Sequence, residues 1–261
     1  MRALNESSPR EHKGHERGPL NVMGRGELRV EDGEITIHDQ DRYPGFDSRW
    51  FDREWWVAEG ARTHSITGRG SVLMLDRGDE TWVYRHYHRG GLVARVAYDE
   101  YLWTGVERMR PIREWRLLTE LATRELPSPR PVAARALRSG AVYRADILTV
   151  LLPETEPLSS LLGDVWRDLG LWSRIGTMIA GFHRAGCDHP DLTAHNVLID
   201  ARRQPFLVDF DNASLKPAGD WARAGIARFK RSLRKVSHET GTEFDEAAWQ
   251  ALAAAYSAAY E

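Results

Sequence analysis

Cysteine and lysine are nearly missing from this chain. Cys187 is the single cysteine among 261 residues, which excludes an intramolecular disulfide and any cysteine-based zinc cage. The only lysines are Lys13, Lys216, Lys230 and Lys235, so cationic chemistry between them falls to arginine. Long apolar runs are also lacking. The longest stretch near the middle, Ile147 to Leu152, is far below the ~20 residues a spanning helix needs. Residues 1 to 18 hold only Met1, Ala3 and Leu4 as apolar types, which leaves no apolar core for a secretory signal and predicts a cytoplasmic chain with a mobile tail over 1–18. A strong charge imbalance is missing as well: the net charge of -2 argues against a protein wrapped along nucleic acid. What remains, 42% hydrophobic and 28% charged residues, fits one or two globular domains with an ordinary core.

Periodicity divides the chain in two. Glu27–Val30 and Glu34–Ile37 alternate in polarity around Glu31-Asp32-Gly33, which predicts a hairpin. The aromatic segment Trp50 to Val57 reads as packing against a neighbouring sheet. Between Thr63 and Tyr84 an antiparallel meander is expected, with Gly68-Arg69-Gly70 between its first two strands. Pro111 to Thr123 reads as a helix, with Ile112, Trp115, Leu118 and Leu121 on one face. Two further strands, Pro131–Leu137 and Val142–Leu152, follow, and Pro153–Pro157 reads as a linker. These features define an N-terminal lobe over 19–152. A mostly helical C-terminal lobe over 153–261 begins with a stripe of Trp172, Ile175, Met178, Ile179 and Phe182 closed by Gly186. It continues through a small hairpin at Val197–Ile199 and Phe206–Val208 to helices near Trp221–Val236 and Phe244–Tyr260.

Two motifs flank that small hairpin: His189-Pro190-Asp191-Leu192-Thr193-Ala194-His195-Asn196 and, thirteen residues after Asn196, Asp209-Phe210-Asp211. Together they resemble the catalytic loop and metal motif of the protein-kinase-like fold. Phosphoryl transfer from ATP needs a carboxylate beside the acceptor hydroxyl and oxygen ligands that hold magnesium across the phosphates. Asp191 fits the first role, and Asn196 and Asp209 the second. His189 reads as a support of the loop, and His195 has no assigned task. Upstream, Gly68 and Gly70 would let backbone N–H groups approach phosphate, although Leu73 stands where a third loop glycine is usual. No lysine is available on the third strand, so Arg85 takes the phosphate contact, with Glu114 on the following helix as its partner.

Further segments extend the likeness. Arg85 to Leu92, Tyr101-Leu102-Trp103, Leu126-Pro127-Ser128-Pro129 and Tyr143-Arg144-Ala145-Asp146, taken with both motifs, resemble the Kdo kinases of lipopolysaccharide core assembly over roughly Phe51 to Asp211. The resemblance implies an α+β, two-lobed protein-kinase-like fold. Its N-lobe would be an antiparallel sheet with one main helix and its C-lobe short and mostly helical. It also implies ATP and Mg2+ as cofactors and transfer to the 4-hydroxyl of 3-deoxy-D-manno-octulosonic acid (Kdo) on a lipid A precursor, at the cytoplasmic face of the inner membrane. An arginine in the strand-lysine position matches that family. Pro190, Thr193 and Asn212 depart from its usual residues. No Ala-Pro-Glu closes an activation segment, so a sugar rather than a protein substrate is expected.

Two features stay open between structure and function. Arg89, in the Arg89-Gly90-Gly91 turn, either meets phosphate or sugar carboxylate or belongs to a plain turn. Arg223, Arg228, Lys230, Arg231, Arg234 and Lys235 fall within an arc of roughly 160° of one helix, opposite Ala222, Ile226, Phe229, Leu233 and Val236. That face is either a solvated surface or a dock for anionic lipid and the phosphates of the acceptor, with Arg231 and Arg234 as its test positions.

Overall fold

The computed structural model describes residues 26–59, 63–66, 72–88 and 99–261. The elements run β1 (Gly26–Glu31), β2 (Glu34–Asp39), α1 (Arg53–Ala58), β3 (Thr63–Ile66), β4 (Val72–Asp76), β5 (Thr81–His86), β6 (Tyr101–Leu102), α2 (Arg110–Thr123), β7 (Pro131–Ser139) and β8 (Val142–Val150). They continue through β9 (Thr155–Pro157), α3 (Leu158–Val165), α4 (Leu169–Arg184), β10 (Cys187–Asp188), β11 (Val197–Asp200), β12 (Pro205–Leu207), β13 (Ser214–Leu215), α5 (Asp220–Thr240) and α6 (Glu246–Tyr260). The tail over 1–18, Gly68, Gly70 and the turn containing Arg89 lie outside the described residues.

The first eight strands form one antiparallel sheet in the order β1-β2-β7-β8-β5-β4-β3, with β6 on β8. The expected β1–β2 hairpin is present: Asp32 and Gly33 take φ of 44° and 86°, the left-handed pair that lets a two-residue turn follow the twist of its strands. Alternation along β7 and β8 sends side chains to opposite faces. Ala134, Ala136, Ala145 and Ile147 pack with Ile112, Trp115, Leu118 and Leu121 of α2. Ala133 and Leu148 face the other way, into a cluster with Leu73, Leu75 and Trp82 that Trp50, Phe51 and Trp56 cover. The aromatic segment therefore packs on the sheet, as its composition predicts.

After β8 the layers change. The linker expected at Pro153–Pro157 is partly wrong, because Thr155–Pro157 pairs as β9 with β11 and completes a three-stranded sheet, β12-β11-β9. Helix α3 was not anticipated either. It spans only eight residues and includes two serines and a glycine, which gives little local signal, yet it buries Leu158, Leu162 and Val165 on one face. Helices α4 and α6 lie nearly backbone to backbone: a Cβ on Gly176 would stand 2.2 Å from the Leu252 carbonyl oxygen. Gly176→Val should therefore destabilise the protein by about 3 kcal/mol, measured as a lower urea midpoint. Among the described residues no helix is long and apolar enough to cross a membrane. Cys187 is buried, which pushes its thiol up to about 12 and leaves it inert.

Candidate active site

Strand β5 sets the first half of the site. Arg85 is paired with Ile147 of β8, so its side chain leaves the sheet on the face that α2 covers. There Arg85 Nη2 donates to both oxygens of Glu114 at 2.5 and 2.6 Å, while Nη1 donates to Asp209 Oδ1 at 2.7 Å. Tyr87, two residues on and therefore on the same face, lies under the Arg85 guanidinium and donates its hydroxyl to Glu114 Oε2. Glu114 is only 4% exposed. Burial pushes its carboxyl above the usual range, against the pull of Arg85 and Tyr87. Burial also works against the charge of Arg85, but Glu114, Tyr87, Asp209 and Asp211 outweigh it and hold the guanidinium pKa above its ordinary value.

The second half is the loop between β10 and β11. Asn196 Nδ2 donates to the Asp191 backbone oxygen at 2.8 Å and to its Oδ2 at 3.0 Å. This bond sets the orientation of the Asn196 amide, with its nitrogen toward Asp191. The loop is braced from several sides. Ser232 Oγ of α5 accepts from the Ala194 N–H at 3.0 Å, the Ser159 N–H of α3 donates to the Ala194 oxygen at 3.1 Å, and the Val208 N–H donates to the Asn196 oxygen at 2.9 Å. His189 is buried, with Nε2 at 3.1 Å from the Val208 oxygen and its ring edge-on to Phe210. Burial depresses its pKa and keeps the ring neutral. His189 thus ties the loop to the metal motif.

Phe210 is fully buried against Phe182 and His189, which anchors the turn that carries both motif carboxylates. Asp209 takes a φ of 69°, a left-handed conformation that aspartate tolerates better than most side chains. Asp211 accepts from Arg110 Nη1 at 3.1 Å, and burial together with the nearby Asp209 raises its pKa. Asp191, Asn196 and Asp209 are thus joined to Arg85 and Glu114 through hydrogen bonds and backbone. Arg231 and Arg234 stand apart on α5, where Arg234 packs over the Phe244 ring and lies 3.9 Å from Glu246. Sequence reasoning missed Tyr87, Arg110 and Ser232. The first two had a signal: Tyr87 is two residues from Arg85 along a strand, and Arg110 is four residues from Glu114 along a helix.

The donors fit a hard divalent cation. Asn196 and Asp209 offer amide and carboxylate oxygen, and magnesium takes one or two protein ligands and completes its shell with phosphate and water. Among the described residues there is no group of three or more His, Cys, Asp and Glu side chains that could hold a metal ion.

The topology is that of the protein-kinase-like fold. An antiparallel sheet with one packed helix precedes a helical half, and the polar loop and the metal motif bracket a small hairpin. A solved structure described as "WaaP in complex with acyl carrier protein" shares the fold, with a TM-score of 0.55, 14% identity and 89% of each chain covered. The family is narrower still: residues 53–256 match the model of the lipopolysaccharide kinase (Kdo/WaaP) family, and the chain belongs to it. It is therefore a kinase, a transferase of lipopolysaccharide biosynthesis that uses ATP. Among its relatives, the 3-deoxy-D-manno-octulosonic acid kinase of Xanthomonas oryzae is 39% identical over 225 residues, 86% of this chain and 90% of its own. The enzyme of that name from Xylella fastidiosa is 39% identical over 79% of this chain and 82% of its own. The one from Vibrio parahaemolyticus is 37% identical over 71% and 78%.

Proposed function

We propose that this kinase moves the γ-phosphoryl group of ATP to the 4-hydroxyl of Kdo on a Kdo-bearing lipid A precursor. The hydrogen bond between Asn196 and Asp191 carries the reading, because it fixes an exposed carboxylate beside a loop amide. In this reading the lobes meet near 152/153 and the nucleotide lies between them. Asp191 accepts a hydrogen bond from the acceptor hydroxyl, orients it and takes its proton as the phosphoryl group transfers. Asn196 and Asp209 would hold Mg2+, which draws charge from the phosphates when bound. Arg85 meets the phosphates, Glu114 holds its guanidinium in place, and Gly68 and Gly70 offer backbone N–H groups. Arg89 meets anionic groups of nucleotide or sugar.

The relatives named as Kdo kinases support the acceptor. The test is transfer from γ-labelled ATP with magnesium to Kdo-bearing lipid A precursor, beside the same lipid without Kdo and a heptose acceptor, with the product position read by NMR. Label on the Kdo lipid alone, at the 4-hydroxyl, is expected. Robust transfer to heptose with none to Kdo would overturn the acceptor.

In this reading the enzyme works at the cytoplasmic face of the inner membrane, held peripherally, because its acceptor is lipid-linked. The face of α5 that carries Arg223, Arg231, Arg234 and Lys235 is exposed, and its opposite side buries Phe229, Leu233 and Val236 in the core. Each such cation near an anionic surface adds about 1 kcal/mol, so Arg231→Glu with Arg234→Glu should weaken binding to anionic liposomes by at least about tenfold. Unchanged liposome binding together with unchanged activity on the lipid acceptor would sink the docking role.

A further inference from the structure

We propose that Arg110 and Asp211 form a latch that holds the metal-motif turn against helix α2, making both of them positioning residues for phosphoryl transfer. The proposal rests on the reading that Asp209 serves the nucleotide–metal site.

Four observations carry it. First, the contact joins residues 101 positions apart: Arg110 Nη1 lies 3.1 Å from Asp211 Oδ2, linking the first turn of α2 to the loop after β12. Second, Arg110 is held on every side that matters. Its backbone N–H donates to the Tyr143 hydroxyl at 3.2 Å, its guanidinium lies over the Tyr101 ring at 4.9 Å, and those two tyrosines stack on each other from β6 and β8. Third, Arg110 opens α2, where a cation meets the positive end of the helix dipole, and no acidic residue in that turn offsets it. Its charge is answered instead from the other half of the molecule, by Asp211. Fourth, Arg110 and Glu114 are one helical turn apart, so α2 grips the motif twice: directly at Asp211, and at Asp209 through Arg85.

The two grips close a ring: Asp209, Arg85, Glu114, the first turn of α2, Arg110, Asp211 and back through Phe210. With only the Arg85 arm, the turn would pivot about one contact. With both, the direction of the Asp209 carboxylate is set by α2 and the sheet beneath it, and a misplacement of about 1 Å at such a group can cost on the order of 100-fold in rate. Asp211 is already engaged by Arg110 and by Asn212 Nδ2, so its carboxylate is occupied in holding the turn.

The test is a double-mutant cycle with Arg110→Gln, Asp211→Asn and both together, beside Arg110→Lys. Each single change should lower kcat by about ten- to a hundredfold, with the KM for ATP moving less than about threefold, and the double variant should be no slower than the worse single. Arg110→Lys keeps a cation and should recover much of the rate, which separates positioning from loss of fold. A second readout needs no turnover. Amide exchange at Ala213, whose N–H donates to the Phe210 oxygen at 3.0 Å, should quicken equally in both single variants of the metal-free protein. Single variants at the wild-type rate, or unchanged Ala213 exchange, would overturn the latch. So would losses that add in the double variant, with Asp211→Asn alone raising the magnesium requirement, which would make Asp211 a metal ligand. A wild-type protein without kinase activity would refute the functional reading, while the exchange experiment would still judge the latch.

Discussion

Asp191→Ala is expected to cut kcat by about 10²- to 10⁴-fold, the range for losing a positioned general base, while the KM for ATP stays close to wild type. The separation follows from the geometry. The Asp191 side chain is exposed and its described hydrogen-bond partner is Asn196, whereas the nucleotide contacts proposed for Arg85 and Glu114 belong to the sheet and α2. For the same reason the fold should survive: removing an exposed carboxylate leaves no buried group unpaired, so the thermal midpoint should hold within a degree or two by the ordinary scale of surface substitutions, about 0.5 kcal/mol. Asp191→Asn keeps the shape and can still accept from Asn196 but is a far weaker base, and it should lose nearly as much rate. Initial rates with labelled ATP check both. A rate within threefold of wild type in either variant would remove Asp191 from the mechanism.

Arg85→Ala should act on stability and activity together. Glu114 is buried and loses its only cationic partner described here, and removing one member of a buried ion pair costs about 3–5 kcal/mol. The Arg85 side chain is 28% exposed, so a loss near the lower end, about 3 kcal/mol at pH 8, is expected. The pH dependence has a definite sign. Burial raises the folded-state pKa of Glu114 above its unfolded value, and without Arg85 that rise grows. A carboxyl with a raised folded pKa favours the folded state while protonated and disfavours it as pH climbs through that pKa. The penalty of Arg85→Ala should therefore be largest at pH 8 and shrink toward pH 5, as urea unfolding at both values would record. Adding Glu114→Gln removes the stranded charge and should recover part of the stability but none of the activity. A penalty independent of pH, or no recovery in the double variant, would show that Glu114 is not the group left exposed to the cost.

Much of this architecture is legible because its causes are local. The alternation in Glu27–Ile37 around Asp32-Gly33 marks its hairpin, and the 3.6-residue stripes of α2, α4 and α5 commit each helix to one buried side. The five-residue interval from Asp191 to Asn196 is short enough that loop geometry alone can join their side chains, and it does. Arg85 and Glu114 could be matched because the resemblance to the kinase pattern calls for a strand cation paired with a helix glutamate, and the strand holds an arginine and no lysine. Gly68 and Gly70, a weaker motif, and Arg89, open between anion contact and a plain turn, fall outside the described residues.

What escaped the sequence escaped for the opposite reason. Helix α3 and strands β9, β10 and β13 are two to eight residues long, too short to form or announce themselves without the layers they complete. The insertion of β7 and β8 between β2 and β5 is a long-range pairing whose register depends on which faces can be buried together. The contacts that unite the site span still greater distances: Arg85 to Asp209 over 124 residues and Arg110 to Asp211 over 101. By itself, then, the sequence determined the longer elements, the buried faces of their helices and the chemistry of two loops, because periodicity and short spacing act within a few turns of chain. Only the tertiary structure decided which arginine meets which aspartate, because charges so far apart are brought together by the packing of the apolar core between them.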